Sequence, residues 1–337
     1  MGGEPLRIGV LGAARIAEEA LIAPARATGH RVVAIAARDR GRAEEFAARH
    51  GVERVLDGYA DVVCDPEVEV VYNPLANGLH APWNLAAVRA GKHVLSEKPF
   101  ASTGDEAAVV RDAAVAAGVT ALEAFHYLHH PVAGRLMQLL DTGELGDLRA
   151  VEVDMVMPAP QESDPRWSFE LAGGALMDVG CYGLHLSRML GRWAGGEPRL
   201  VSARADERAG HPGVDERLTA ELAYPSGATA RTHCDMDTDH VQFSARVIGS
   251  AGEAFAANFV KPQYDDTVRV TTRDGTRVEH PGTRPSYDFQ LDVLAAHLRN
   301  GSRLPFDADD AVVQMRLVDA CYGAAGLPLR ARLALPD

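Results

Sequence analysis

The sequence predicts an α/β protein in two parts. The first is an N-terminal parallel sheet with helices on both faces. The second is an α+β part built on a large, open, mainly antiparallel sheet. Three observations lead there. Short apolar runs alternate with helical stretches over roughly the first 120 residues, the pattern of crossover units. After Glu123 the rhythm changes to successive strands joined by turn residues. And 337 residues, at about 150 per domain, suffice for two domains.

Taken in order, Arg7-Ile8-Gly9-Val10-Leu11 is a short apolar run suited to a buried parallel strand. A helix over residues 15–27 follows, then a second strand over 32–36. Further strands fall at 54–56, 69–72, 93–96 and 119–122, with helices near 41–50, 81–90 and 104–117 between them. Beyond Glu123, a helix over 131–142 precedes a longer strand over 147–157 and an irregular Pro- and acid-rich stretch over 158–165. Strands dominate 201–280. Tyr224-Pro225-Ser226-Gly227 and Arg273-Asp274-Gly275-Thr276 read as hairpin connections, because Ser-Gly and Asp-Gly supply the positive φ of tight turns. Helices near 286–299 and 307–325 close the chain, the second with Asp307 as N-cap. The expected division is residues 1–123 and 124–337.

Composition narrows the function. Acidic residues number 47 and basic ones 34, a formal net charge of −13, which disfavours phosphate backbones and anionic lipid as partners. The four cysteines (Cys64, Cys181, Cys234, Cys321) form no C-x-x-C pair, so neither a zinc site nor a disulfide framework is expected. Arg15, Glu18 and Glu19 break the N-terminal stretch as an apolar leader, and no apolar run reaches the roughly 18 residues of a membrane span. The expectation is a cytoplasmic protein with no nucleic-acid or membrane partner.

Gly9-Val10-Leu11-Gly12-Ala13-Ala14-Arg15-Ile16-Ala17 joins the first strand to the first helix and aligns with G-x-G-x-x-G. Gly12 is the tight-turn glycine, while Ala14 and Ala17 replace the second and third. Small residues are needed here so that backbone N–H groups at a helix N-terminus can approach a pyrophosphate. This pattern predicts a dinucleotide-binding Rossmann domain with Gly12, Ala13, Ala14, Arg15 and Ile16 at the cofactor. The second strand ends Ala36-Ala37-Arg38-Asp39. An acidic residue at that tip would read the ribose hydroxyl of NAD, whereas Arg38 suits the 2′-phosphate of NADP. Asp39, one position late, is free to cap the next helix. NADP(H) is favoured, with NAD(H) as the alternative.

Two further segments carry chemistry. Ala90-Gly91-Lys92-His93-Val94-Leu95-Ser96-Glu97-Lys98-Pro99 ends a predicted strand, and ligands of open α/β sheets bind beyond such carboxyl ends. Gly173-Gly174-Ala175-Leu176-Met177-Asp178-Val179-Gly180-Cys181-Tyr182 continues to His185. If helical, Asp178, Tyr182 and His185 share one face, and Gly180 permits a close approach.

With the glycine loop, Glu97-Lys98-Pro99 and Asp178-x-Gly180-x-Tyr182, the chain resembles the glucose–fructose oxidoreductase / inositol dehydrogenase (Gfo/Idh/MocA) family. The resemblance continues through Asn73-Pro74, Gly143-Glu144-Leu145-Gly146 and Tyr287-x-x-Gln290, and so covers essentially the whole chain. It implies a nicotinamide dehydrogenase or reductase acting on sugars, polyols or similar alcohols. It places Lys98 beside nicotinamide and substrate, and Asn73, Pro74, His80 and Glu97 near the cofactor. Where the family commonly has a His acid/base, this chain has Tyr182, as the dihydrodiol dehydrogenases do. By analogy, a homodimer or homotetramer is expected.

The pairing is chemically sensible. Hydride transfer at a secondary alcohol requires a proton to leave or reach the same oxygen. A phenol of ordinary pKa near 10 is a poor base at neutral pH, and a nearby ammonium favours its ionised form and a developing alkoxide. Catalysis is therefore assigned to Tyr182 as acid/base, Lys98 as electrostatic partner and Asp178 as orienting carboxylate. Tyr182 as a merely packed tyrosine, His185 as the acid/base and Asp178 in a plain ion pair are the competing assignments. Substrate contacts are assigned to Lys98, Arg166, Trp167, Asp178, Tyr182 and His185. His126-x-x-His129-His130 has no intervening Glu of a zincin and runs into Pro131, so no metal is expected there; the segment is expected to line a cleft. A dinucleotide-binding regulator without turnover is the alternative function.

Overall fold

The computed structural model describes residues 4–333. The described chain separates into two compact units: residues 4–125 with 287–315 and 331–333, and residues 126–286 with 316–330.

The first unit is built on a parallel sheet of β1 (Arg7–Leu11), β2 (Arg31–Ala36), β3 (Val70–Asn73), β4 (His93–Ser96) and β5 (Ala121–Glu123), in the order β2-β1-β3-β4-β5. All four β3 residues are buried, as expected of a sheet covered on both faces. The predicted strand at 54–56 is corrected to a single bridge, Val55 to Ile35, with Ile35 N–H donating to Arg54 O and Leu56 N–H to Ile35 O. Too short to form a ladder, it still marks the edge position beyond β2. Strand order reverses direction at β1, and crevices for ligands open at such switch points beyond the strand carboxyl ends.

The helix after the glycine loop, α1, runs as Arg15–Ala17, a π-helical turn Glu18–Ile22, and Ala23–Thr28. Pro24 lacks an N–H and its ring crowds the preceding turn, which the wider π turn accommodates. Helices α2 (Arg40–His50), α3 (Tyr59–Cys64), α4 (His80–Arg89) and α5 (Gly104–Ala117) follow, and α3 lies outside the sequence-based expectations.

A single cut after residue 123 does not describe the first unit. Helix α8 (Ser286–Asn300), all but its first residue, belongs there together with the segment to 315. The physical ties are long-range: the Arg299 guanidinium pairs with Glu69, His297 meets the Thr120 hydroxyl at 3.0 Å, and Phe306 meets Phe125 edge-on.

The second unit opens with α6 (Pro131–Asp141) and β6 (Leu148–Val156), followed by α7, a π turn Leu176–Gly180 continued by Cys181–Met189. Strands β7 (Arg199–Glu207), β8 (Asp215–Ala223), β9 (Thr229–Asp235), β10 (Gln242–Gly249), β11 (Gly252–Ala256), β12 (Val268–Thr272) and β13 (Gly275–Glu279) complete an eight-stranded sheet. Its order is β13-β12-β11-β10-β6-β9-β8-β7, antiparallel except for the β6–β9 pair. Both expected hairpin turns are present, with Gly227 and Gly275 at positive φ. Helix α9 (Ala308–Ala324) starts as expected at Asp307, whose carboxylate accepts from the Asp309 and Asp310 amides. Among the described residues no helix is long and apolar enough to cross a membrane.

Helix α7 lies directly on β9. A side chain at Gly180 would come 2.6 Å from Cys234 Sγ, and one at Gly183 would run into Thr232 Cγ2. The glycines thus let the helix backbone approach the sheet, which fixes the height of Tyr182 above it.

Candidate active site

In the first unit the glycine loop has the form its sequence demands. Gly12 sits at φ +90°, a conformation L side chains rarely adopt, and its N–H donates to Ala36 O. A side chain there would also meet Leu75 at 3.0 Å. Ala14 occupies the α1 N-cap and offers no side-chain hydrogen bond to the helix amides. Ala13, Ala14 and Ile16 are half-buried and Arg15 exposed, so a positive helix end is left for a bound anion.

At the tip of β2, Asp39 does cap a helix: its Oδ1 accepts from Arg42 N–H at 3.1 Å. With that carboxylate committed, Arg38 is the exposed group at the strand end. Arg42 joins it, its guanidinium reaching Ala13 O of the glycine loop. Burial raises the Tyr59 phenol, and the Arg38 charge, the Arg38 backbone N–H and the Arg42 charge draw it back, which puts both cations beside one ring. Two guanidinium groups and a glycine loop form a donor set that fits a phosphorylated dinucleotide. Sequence reasoning singled out Arg38 but not Arg42, which lies in the first turn of α2.

Lys98 is half-buried and precedes Pro99 through a cis peptide. Its neighbours are tethered on every side. His80 faces Pro99 O with Nδ1 at 2.6 Å and Leu75 O with Nε2 at 2.8 Å. Asn84 donates to Ser96 Oγ and Phe100 O, Glu123 accepts from Phe100 N–H, and the Tyr72 hydroxyl donates to Glu97 at 2.8 Å. Asn73 donates to Asn84 and to His80 O, and accepts from the Leu75 amide. Asn73, His80 and Glu97, expected near the cofactor, are therefore buried groups whose hydrogen bonds shape the Leu75 and Lys98 loops. Pro74 is buried between them. Burial pulls the His80 imidazole down to about 4, with the Lys98 charge adding to the effect.

In the second unit Tyr182 sits on α7, 5 % exposed, and its hydroxyl meets His126 Nε2 at 3.1 Å. His126 Nδ1 in turn meets Ser286 Oγ at 2.7 Å. His185 is fully buried, with Nδ1 on the Tyr127 hydroxyl at 2.7 Å. Tyr127 packs edge-on against both Tyr182 and His185. Asp178, within the π turn, forms an ion pair with Arg166 Nε at 2.7 Å, and Arg166 also reaches Asp164 at 3.3 Å. Asp178 is the main cause of the upward shift of the Arg166 guanidinium.

The expectation that Trp167 offers an indole face to substrate is corrected. The ring is 1 % exposed, its N–H donates to Pro160 O, and the Arg208 guanidinium covers it at 4.8 Å.

The glycine pair before α7 also has a concrete role. Gly174 sits at φ +131°, against the carboxylate of Asp215, and Gly173 packs on the Arg166 backbone. Asp215 accepts from Leu176 N–H at 2.7 Å, from the Tyr322 hydroxyl at 2.9 Å and from Arg330 Nη2 at 2.5 Å. Burial raises the Asp215 carboxyl, and the Arg330 charge opposes it. Arg330 also donates to Gly173 O and Gly213 O. Sequence reasoning missed this anchor because its members lie more than a hundred residues apart. The three histidines 126, 129 and 130 do not act together: His126 faces Tyr182, while His130 caps α6 by accepting from the Val132 amide. Among the described residues no group of three or more His, Cys, Asp or Glu is placed to hold a metal ion.

Comparison with known proteins agrees with this architecture. Residues 6–125 match the oxidoreductase family model with an NAD-binding Rossmann fold, and residues 134–255 match the GFO/IDH/MocA C-terminal domain. A D-xylose 1-dehydrogenase (NADP(+)) of Haloferax volcanii is 35 % identical over 323 residues, 95 % of this chain and 97 % of that one. A mouse trans-1,2-dihydrobenzene-1,2-diol dehydrogenase is 33 % identical over 74 % of each chain. Among solved structures, a 3-ketoreductase of Actinomadura kijaniata in complex with NADP and TDP-benzene aligns with TM-score 0.87 at 28 % identity, over 95 % of this chain and 98 % of that one. Variants of that reductase with one tyrosine changed to phenylalanine, or one lysine to alanine, are also similar structures. The replaced tyrosine and lysine are separated there by the same number of residues as Lys98 and Tyr182 here. The chain is an oxidoreductase with a nicotinamide-dinucleotide fold. It belongs to the Gfo/Idh/MocA family.

Proposed function

We propose that this protein is an NADP-dependent oxidoreductase that interconverts a secondary alcohol and a ketone on a sugar, sugar derivative or cyclic diol. Tyr182 acts as acid/base and Lys98 as its electrostatic partner. The observation that carries the reading is the Tyr182 hydroxyl: buried, on a rigid helix, and hydrogen-bonded to an imidazole able to exchange a proton with it. The equal Lys–Tyr separation in the reductase of known structure supports it, as do the named substrates of the relatives.

The glycine loop and the α1 N-terminus would hold the pyrophosphate, and Arg38 with Arg42 the 2′-phosphate. The dinucleotide, when bound, supplies the acceptor or donor of the carbinol hydride. Tyr182 takes or returns the proton of the reacting oxygen, and the Lys98 ammonium steadies negative charge developing there. Asp178, held by Arg166, offers its remaining acceptor capacity to a neighbouring substrate hydroxyl.

The test is a panel of D-xylose, a trans-dihydrodiol and a dTDP-linked ketosugar with NADP(H). Tyr182→Phe and Lys98→Met are each expected to lower turnover by at least about a hundredfold, the scale of lost acid/base catalysis, with NADPH binding by fluorescence retained. Turnover preserved in either variant would remove the assigned role.

A further inference from the structure

Tyr182 faces a second titratable group, His126, to which the sequence reading gave no catalytic part. His126, Ser286 and Tyr182 come from three separate stretches of the second unit and form one hydrogen-bonded line. His126 and Ser286 are fully buried. One set of directions satisfies every partner. With the Ser286 hydroxyl donating to Val260 O at 3.3 Å, its lone pairs face His126 Nδ1 at 2.7 Å, and Nδ1 carries the imidazole proton. A neutral imidazole has one donor and one acceptor, so Nε2 is the acceptor, and the Tyr182 hydroxyl donates to it across 3.1 Å.

We infer that His126 is a positioning residue that acts through Tyr182, fixing the phenol's orientation and receiving its proton in a two-step relay set by Ser286. The inference rests on Tyr182 being the acid/base. In the oxidative direction the carbinol C–H bond breaks and its electron pair leaves with the hydride. The carbinol O–H bond breaks and its proton passes to Tyr182 Oη. The phenolic O–H bond breaks at the same time, and that proton passes to His126 Nε2. The phenol ends neutral and the imidazole becomes an imidazolium, whose Nδ1–H still donates to Ser286 Oγ. Reduction runs the same transfers backwards. The relay addresses the weakness of a phenol as base at neutral pH: the phenolic proton leaves for the imidazole as the carbinol proton arrives, so no free phenolate has to be maintained.

The tautomer is measurable without turnover. In protein labelled with 15N-histidine, nitrogen spectra of the cofactor-free enzyme should show, among the imidazoles with protonated Nδ1 and bare Nε2, one that belongs to His126; His297, with Nδ1 on Ser302 O, gives another. The His126 signal should vanish in His126→Gln, persist in Tyr182→Phe, and shift toward the ordinary tautomer in Ser286→Ala. His126→Gln keeps an acceptor oxygen for the phenol but cannot take its proton. On the best substrate of the panel it should lower turnover about tenfold or more at nearly unchanged KM. A bowed rate dependence on deuterium content, the sign of two protons in flight, should become straight. An Nε2-protonated His126 in the unmodified enzyme would overturn the relay, as would unchanged turnover and an unchanged isotope profile in His126→Gln. Should Tyr182→Phe keep its turnover, the acid/base reading itself fails and the relay with it. Loss in Tyr182→Phe with none in His126→Gln removes the relay alone.

Discussion

Replacing Asp215 by Asn tests how helix α7 is anchored. The substitution keeps the shape and the acceptor for Tyr322 but removes the charge opposite Arg330. Both side chains of that pair are 0 % exposed, so the guanidinium would be left buried with the Gly173, Gly213 and Pro328 carbonyls and no counter-ion. Breaking a buried pair in this way costs about 3–5 kcal/mol, set against a total stability of about 5–15 kcal/mol. At about 2–4 °C per kcal/mol for a domain of this size, melting should fall by about 6–20 °C in calorimetry. Arg330→Met added to Asp215→Asn removes the stranded charge and should recover at least about 2 kcal/mol, a coupling that a double-mutant cycle reads directly. Because Asp215 also holds the Leu176 amide and Arg330 the Gly173 carbonyl, the single variant should lose turnover as well, through a loosened start of α7. A loss below about 1 kcal/mol, or a double variant no more stable than the single, would show that the pair is not the anchor.

Arg38→Ala should weaken NADP binding much more than NAD binding, measured by titration of both dinucleotides; equal weakening would mean Arg38 does not read the 2′-phosphate. Asp39→Ala should cost about 1 kcal/mol of stability through the lost helix cap while leaving NAD affinity unchanged. Acid should destabilise the fold through His80 and His129, both drawn down by burial to about 4 in the native state. The unfolded chain binds their protons from about pH 6.5 downward and the native chain does not until about pH 4, so stability falls as pH drops through that window. Each contributes about 2 kcal/mol between pH 7 and 5, and urea unfolding that is flat over this range would contradict their burial in the neutral form.

Much of the fold was legible because its signals are local. The β1 apolar run, the Gly12 turn and the two hairpin turns each depend on a handful of consecutive residues, and each appeared where expected. The 54–56 segment has the composition of a strand, yet pairs through only one residue; pairing depends on the neighbour, which composition does not encode. The same holds for the boundary at 123. Residues 287–315 join the first unit because Arg299, His297 and Phe306 find partners early in the chain, and nothing within α8 itself announces them.

The candidate site divides along the same line. Lys98 and Tyr182 stand out because each lies in a compact motif, and Asp39 and Arg38 because a strand tip has a defined geometry. Trp167 was misassigned because an indole flanked by Arg and Asp reads alike whether it faces a cleft or a core; the covering guanidinium comes from Arg208, on the far side of the glycine pair. Helical spacing puts Asp178 about one turn before Tyr182, with the π turn over Leu176–Gly180 between them; what spacing does not show is the Arg166 guanidinium that pairs with Asp178. The same insertion brings Gly180 against Cys234, and the helix that follows presents Tyr182 to His126. The imidazole that faces the proposed acid/base comes from a segment 56 residues earlier, so spacing rules within one helix find the tyrosine but not its neighbour.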